Sequence, residues 1–434
     1  MSYAKSLALY GRAAQSIPGG LHSNGRYRKP HPLYFCKAQG PYVTDIDGNT
    51  YIDLIMGNGT LLLGHNNPEF NERFAGYLAK NNGLITGFDS PLSVETAERF
   101  LALTGHERVR FANTGTEAIT HCLQIARAYT GRNNIAVMEG AYNGWTDAVF
   151  VNSFAPLSAL GPAEAPNSVP GTAGLDPRVV NNTVVLPFNN IEASEQIIDA
   201  HRDDLAAVIL EPIMIDIGFI EAEPEYIRFL RRICDRYGIL LIFDELLTGF
   251  RIGLGGCRQY FATPCDLAIF GKAFGNGYII AAVAGKAEVM DISAPGGQTA
   301  YIGTFNGHQV SLCAAAATFD MIESGEVTGT IMANADYLRE QFIALAKQNG
   351  VAAQLLGKGG HFQVYFTEGP LKNYRDAAAT DAARYVGYVH SLQEHGVWCS
   401  QNPLSHHVLS IAHDRQVLDR VLAAMDQALQ AAQA

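Results

Sequence analysis

No acidic residue precedes Asp45, although six basic ones do: Lys5, Arg12, Arg26, Arg28, Lys29 and Lys37. Cysteine is sparse, and the seven present (Cys36, Cys122, Cys234, Cys257, Cys265, Cys313, Cys399) never form a C-x-x-C pair. An odd, scattered set argues against a disulfide framework or structural zinc and for a reduced, cytoplasmic protein. No apolar run reaches the roughly 20 residues that a membrane-spanning helix needs. The opening MSYAKSLALYGRAAQSIPGG is weakly amphipathic and lacks a signal-peptide core. Positive charge is also short overall: 31 Lys and Arg against 42 Asp and Glu give a formal net charge of −11. That balance argues against nucleic-acid binding as the main function, because phosphate backbones need a basic face. The acid-free N-terminus reads as a targeting peptide or as a folded segment whose six basic residues face an anionic ligand. The second reading is preferred, because domain-like sequence begins by about Pro32.

What is present fits a large globular protein. The chain has 434 residues, 48% hydrophobic and 17% charged, enough for two or three domains and a sizeable core. A helix is expected over Ser6 to Ile17, ended by Pro18-Gly19-Gly20. Two short strands, PLYFCKAQG and YVTDIDGNTYIDL, should follow, with a hairpin signal at Asp47 to Asn49. From about Gly64 helices alternate with short apolar runs: VRFAN, IAVMEG, AAVILEP, ILLIFDE and DLAIFGK. Near-continuous apolar runs are what strands buried on both faces require, and intervening helices imply a parallel sheet. Between AAVILEP and ILLIFDE, residues Tyr226, Phe229, Leu230, Ile233 and Tyr237 share one helical face and Gly238 ends the helix, a strand–helix–strand crossover. The α/β reading is a large domain over 61–315, with a smaller α+β domain built from 1–60 and 316–434. The stretch from Val151 to Pro187, rich in Ala, Pro, Gly and Ser, reads as a functional lid or a disordered loop.

Three places carry chemistry. The apolar run ILLIFDE stops at Asp244, which puts a carboxylate at the carboxyl edge of a central strand, where open α/β sheets bind ligands. Taken alone, such an acid reads as readily as a helix cap. DLAIFGK ends in Lys272, an amine emerging from an apolar run and so stripped of hydration, which favours its nucleophilic form. Taken alone, it reads as a snorkelling lysine. Together the two suit a carbonyl cofactor that condenses with the amine and pairs its ring nitrogen with the acid. The third is FANTGTEAITHC, a strand, a tight turn and a helix whose N-terminus, with the Thr116 hydroxyl, can hold a phosphate. A plain helix cap is the alternative there, and a P-loop is not, since its second Gly and Gly-Lys are missing.

In order and spacing, NTGTEA, ARAYTGR, EGAYNG, ILEP, LLIFDELLTGFR, FGKAFGNG and GTFNGH resemble the class III, fold-type I, pyridoxal 5'-phosphate (PLP)-dependent aminotransferases, and most of all the glutamate-1-semialdehyde 2,1-aminomutases and their aminotransferase relatives. The resemblance runs from about Pro18 to the C-terminus. It implies a mostly parallel large-domain sheet flanked by helices, and a homodimer with active sites at the interface. Residue by residue, it implies that Gly115 and Thr116 bind the phosphate and that Tyr142 stacks on the pyridine ring. It makes Asp244 the partner of the ring nitrogen, Lys272 the Schiff-base lysine and later the general base, and Thr304 a reach to the partner subunit's phosphate. Arg26 falls where relatives bind the substrate carboxylate. Several positions depart from the aminomutase pattern: Asn143 for a histidine, Asp216 for an asparagine near the cofactor 3'-oxygen, Leu246 for a valine under the ring, and Ser405 for a glutamate paired with the carboxylate-binding arginine. Loss of that last pair weakens retention of an intermediate, so the expectation is an aminotransferase acting on small carboxylate-bearing amino and keto compounds, with an aminomutase as the alternative. A PLP-dependent decarboxylase or a non-catalytic PLP-binding relative is the remaining class. His406, His407 and His413 have no acidic or thiol partner at ligand spacing and read as surface histidines, so no metal is expected.

Overall fold

The computed structural model describes residues 1–431. Its centre is a seven-stranded sheet: β1 (Arg108–Ala112), β2 (Asn134–Met138), β3 (Thr183–Leu186), β4 (Leu205–Leu210), β5 (Leu240–Asp244), β6 (Leu267–Gly271) and β7 (Ala281–Gly285), in the order β1-β7-β6-β5-β4-β2-β3. β7 runs antiparallel to both of its neighbours, and the other pairs are parallel. Every residue of β4, β5 and β6 is buried, because apolar clusters cover both faces of the sheet. This is the reason those strands read as unbroken apolar runs rather than alternating ones.

The crossover between β4 and β5 forms as its spacing predicts. The helix Pro224–Tyr237 buries Tyr226, Phe229, Leu230 and Ile233, and Gly238 closes it at φ 63°, a left-handed cap that glycine adopts without strain. Two strands escape the sequence reading. β7 is AAVAG, whose small residues carry little strand preference, and β3 follows the long Ala- and Pro-rich stretch that masks it. In the structure that stretch is tied to the body, and its Phe154 ring lies 6.1 Å from the Tyr142 ring. Asn152 N–H donates to Val169 O at 2.6 Å, and Thr183 Oγ1 donates to Ala148 O at 3.1 Å, so the segment is tied down before it enters the sheet as β3.

A four-stranded sheet joins the two ends of the chain: Phe35–Gln39, Tyr42–Asp45 and Thr50–Asp53 pair in sequence, and Val397–Trp398 adds to the last. The segment expected as one strand after Gly40 is thus two. Asp45 makes the turn between them by accepting N–H bonds from Asp47 at 3.0 Å and Asn49 at 2.8 Å. The first helix is Ala4–Ala13, stopping four residues short of Ile17. Of the six N-terminal basic residues only Arg28 is buried, and its guanidinium lies 3.7 Å from the Trp398 ring and donates to Cys399 O. Arg28 is thus committed to the fold, so the six do not all face one anion site, and the other five are exposed. Among the described residues no helix is long and apolar enough to cross a membrane.

Candidate active site

Strand register builds the site. Phe243 pairs with Leu210 across β5 and β4, so the next residue on each strand, Asp244 and Glu211, falls side by side at the carboxyl edge of the sheet. β6 lies on the other flank of β5, with Ile269 opposite Asp244, and the chain leaves β6 at Lys272. Lys272 has φ 50°, a left-handed conformation uncommon for a side chain this long, at the start of the short helical turn Lys272–Gly275. Strained backbone of this kind persists where the surrounding structure over-determines it. The outcome is a small cavity lined by Tyr142, Glu211, Asp216, Asp244, Leu246, Leu247 and Lys272. Residues that lie 130 positions apart in sequence, Tyr142 and Lys272, therefore meet in one place.

Asp244 is held from two sides. Asn143 Nδ2 donates to Oδ2 at 2.8 Å and the Leu246 N–H donates to Oδ1 at 3.1 Å. Burial pushes its carboxyl up to about 6, partly opposed by these two bonds and by Lys272. Asp216 is likewise pushed up by burial and lowered by Lys272, and its Oδ1 lies 3.6 Å from His406 Nδ1. Tyr142 makes an edge contact with Phe150, with centroids 5.9 Å apart.

The turn at Thr114–Thr116 opens the helix Gly115–Thr130. Thr114 Oγ1 takes the Glu117 N–H at 3.2 Å and Thr114 O takes that of Ala118, so the first N–H groups, those of Gly115 and Thr116, lie at the open helix end. This end adjoins the cavity. A Cβ on Gly115 would stand 2.6 Å from Leu246 Cδ1, and one on Gly144, two residues after Tyr142, would stand 3.0 Å from Thr116 Oγ1.

Two expected residues lie outside the cavity. Arg26 is exposed in the turn Asn24–Arg26, and Thr304 is exposed in a loop where its carbonyl accepts the Thr86 hydroxyl at 2.7 Å. The histidines expected at the surface are buried instead: His406, His407 and His413 are no more than 5% exposed. Burial holds His406 neutral, down to about 3, with Lys272 and Arg251 adding to the effect. They escape a sequence reading because His407 lies in a two-residue strand too short to leave a periodic signature. Two lining or supporting residues were missed in their roles. Asn143 appears in the sequence only as a departure, yet it is a direct partner of Asp244. Glu211 ends an apolar run just as Asp244 does, and the same strand-end signal could have found it.

The family model described as "Aminotransferase class-III" matches residues 24–429. The chain belongs to the class-III aminotransferase family. Among its class-III relatives, the "Glutamate-1-semialdehyde 2,1-aminomutase" of Methanothrix thermoacetophila is 36% identical over 426 residues, covering 98% of this chain and 96% of that protein. A protein of the same name from Natranaerobius thermophilus is 32% identical over 435 residues, 99% of each chain. An ω-transaminase from Sphaerobacter thermophilus superposes with a TM-score of 0.92 at 31% identity, over 99% of this chain and 98% of that one. A β-phenylalanine aminotransferase from Variovorax paradoxus superposes with a TM-score of 0.86 at 27% identity, over 98% and 93%. The fold-type I α/β fold that the resemblance implies is therefore the fold of this chain.

Proposed function

We propose that this class-III enzyme is a PLP-dependent aminotransferase that moves an amino group between an amino acid, or another amine-bearing carboxylate, and a keto or aldehyde acceptor. The observation that carries the reading is the convergence of Lys272, Asp244 and Tyr142 on one cavity beside a helix N-terminus. The cofactor is pyridoxal 5'-phosphate, and the donor set fits it: an amine for its aldehyde, an acid for its ring nitrogen, an aromatic ring, and open N–H groups with the Thr116 hydroxyl for its phosphate. A solved relative at 31% identity is described as "Transaminase with PLP bound".

When bound, PLP supplies an aldehyde that condenses with amines and a ring that draws electrons from the carbon being deprotonated. Lys272 would provide the amine that holds the cofactor, and its free amine would serve as the base for the proton on the substrate α-carbon. Asp244, steadied by Asn143 and the Leu246 N–H, keeps the ring nitrogen protonated. Tyr142, on the cavity wall, would supply an aromatic face for the cofactor ring. Gly115 and Thr116 bind the phosphate, where hydrogen bonds to a charged group at about 1.5–3 kcal/mol outweigh the helix dipole at about 0.3–1 kcal/mol. Leu246 and Asp216 also line the cavity and would lie against the bound cofactor. Arg26 receives the substrate carboxylate with its fork of donors.

The surface around Thr304 supports the homodimer that the family resemblance implies. Ile85, Phe88, Ile279, Ile302 and Phe305 are each more than half exposed. Their loops are joined: Gln309 bonds the carbonyls of Ile85 and Phe88, Ser311 that of Ile279, and Thr86 that of Thr304. A contiguous apolar patch of this kind marks an interface. Asn306 in the same loop accepts from Asn113, beside the phosphate turn, so a second copy docked here brings its Thr304 towards this cavity. We assign residues 61–315 to a large cofactor-binding domain and 1–60 with 316–434 to a smaller one. The sheet that joins Val397–Trp398 to the N-terminal strands supports that division.

Aminomutase activity is the second reading, supported by the names of the full-length relatives at 32–36% identity. Ser405 in place of a carboxylate favours release of the keto product and so the transaminase. A screen of amino donors against one keto acceptor, read by mass spectrometry, separates them. Acceptor-dependent amine exchange is the expected result, and an isomerised product without acceptor turnover would overturn it.

A further inference from the structure

Three carboxyl groups, those of Glu211, Asp216 and Asp244, line the cavity, and Lys272 is the single cation among the lining residues. The imidazole behind Asp216 adds no positive charge, since burial keeps His406 neutral. Three carboxylates around one amine, two of them buried and the third half-buried, are not electrically balanced, and such a site resolves the excess by keeping a proton on one acid.

Geometry decides which acid holds it. Asp244 has a donor on each oxygen, from Asn143 and from the Leu246 N–H, which favours its anion. Asp216 keeps 23% of its side chain exposed. Glu211 is 3% exposed; its Oε2 accepts one N–H, from Ile215 at 3.1 Å, and its Oε1 is buried with no partner. An anionic oxygen without a donor is the costliest arrangement in such a site, whereas a hydroxyl there is a donor waiting for an acceptor. The groups that act on Glu211 are Asp216 and Asp244, which favour its protonated form, and Lys272, which opposes it.

We infer that Glu211 is a neutral, proton-holding carboxylic acid in the working enzyme and that its Oε1–H is a hydrogen-bond donor facing the cavity. The consequence lies at Lys272. A further anion beside that amine would hold it as ammonium, which can neither attack a carbonyl nor accept a proton, and a neutral Glu211 avoids this. The inference deepens the PLP reading and rests on it for the role at Lys272, but the protonation state is tested without it.

Infrared difference spectra of the full-length protein, wild type minus Glu211→Gln, should show a protonated-carboxyl stretch at pH 7 that the variant lacks and that moves in heavy water. Absence of that band at pH 7, or its disappearance from the wild type as the pH is raised from 5 to 7, overturns the inference. In the PLP-loaded protein, the pH midpoint of the cofactor's visible absorbance should move by less than about 0.5 unit in Glu211→Gln, because no charge is removed. A downward move of about one unit or more would mean a carboxylate had been deleted beside the amine and would equally overturn it. A colourless wild type that still shows the infrared band would sink the PLP reading and leave Glu211 protonated.

Discussion

Lys272 and Arg26 are both cations expected at one site, and the structure treats them differently. Lys272 leaves a strand buried on both faces, is held in a left-handed backbone conformation, and lines the cavity with Asp244 and Tyr142. Arg26 sits exposed in a three-residue turn, as Thr304 does in its loop. The inner wall of the site is made by sheet register and is complete within one chain. The proposed outer rim is made by exposed loops, that of Thr304 lying beside exposed Ile302 and Phe305, and under the proposed dimer a second copy would complete it. An enzyme built this way keeps its reacting groups rigid and leaves substrate selection to segments that can vary without disturbing the sheet.

The contrast is sharpest at the lysine. Lys272→Ala should lower kcat by about 10⁴, the upper end for a general acid–base group, and borohydride should no longer link cofactor to chain. Persistent linkage would remove Lys272 from the inner wall. At the rim, Arg26→Ala should raise KM for carboxylate substrates by about 10- to 100-fold, the worth of a charged hydrogen bond, with kcat less affected. An unchanged KM would exclude Arg26 from the site. A charge in the apolar patch, Ile302→Asp, should weaken the dimer and with it cofactor retention by about tenfold, as loss of a partner's phosphate contact requires. Sedimentation together with cofactor absorbance checks this, and a dimer of unchanged strength would break the claim that the rim is shared.

The smallest effect concerns stability. The ordinary value for Asp244 is 3.8, and burial raises it to about 6, so the folded chain holds a proton that the unfolded chain has released between those values. The stability linked to it is present below about pH 4 and is lost as pH rises through 6. Relative to Asp244→Asn, the cofactor-free protein should therefore lose about 1–3 kcal/mol over that window. Parallel melting curves for the two proteins across pH 4–7 would show that the acid is not buried as described.

Much of the inner wall was legible before any coordinates. Apolar runs that end in Asp244 and Lys272, and the turn at Gly115 and Thr116, each carry a local signature, because a strand buried on both faces must announce itself in composition. β7 was not legible, since AAVAG is too small-sided to resemble a strand, and it forms only because β1 and β6 leave a slot between them. The buried state of His406, His407 and His413 was read wrongly for a similar reason. Their surroundings come from Asp216, Phe362 and Asp53, residues far away in sequence.

By itself the sequence determined the α/β class, the crossover around Gly238, and the strand ends at Asp244 and Lys272, which follow from short-range periodicity; the roles proposed for these residues and for the turn at Gly115 and Thr116 come from the family resemblance. Only the tertiary structure decided that Asn143 braces Asp244, that Glu211 stands beside it with an unpartnered oxygen, and that three acids share one lysine. Those facts depend on which strand lies next to which and in what register, and pairing between distant segments is set by the packing of the whole core rather than by any local run of residues.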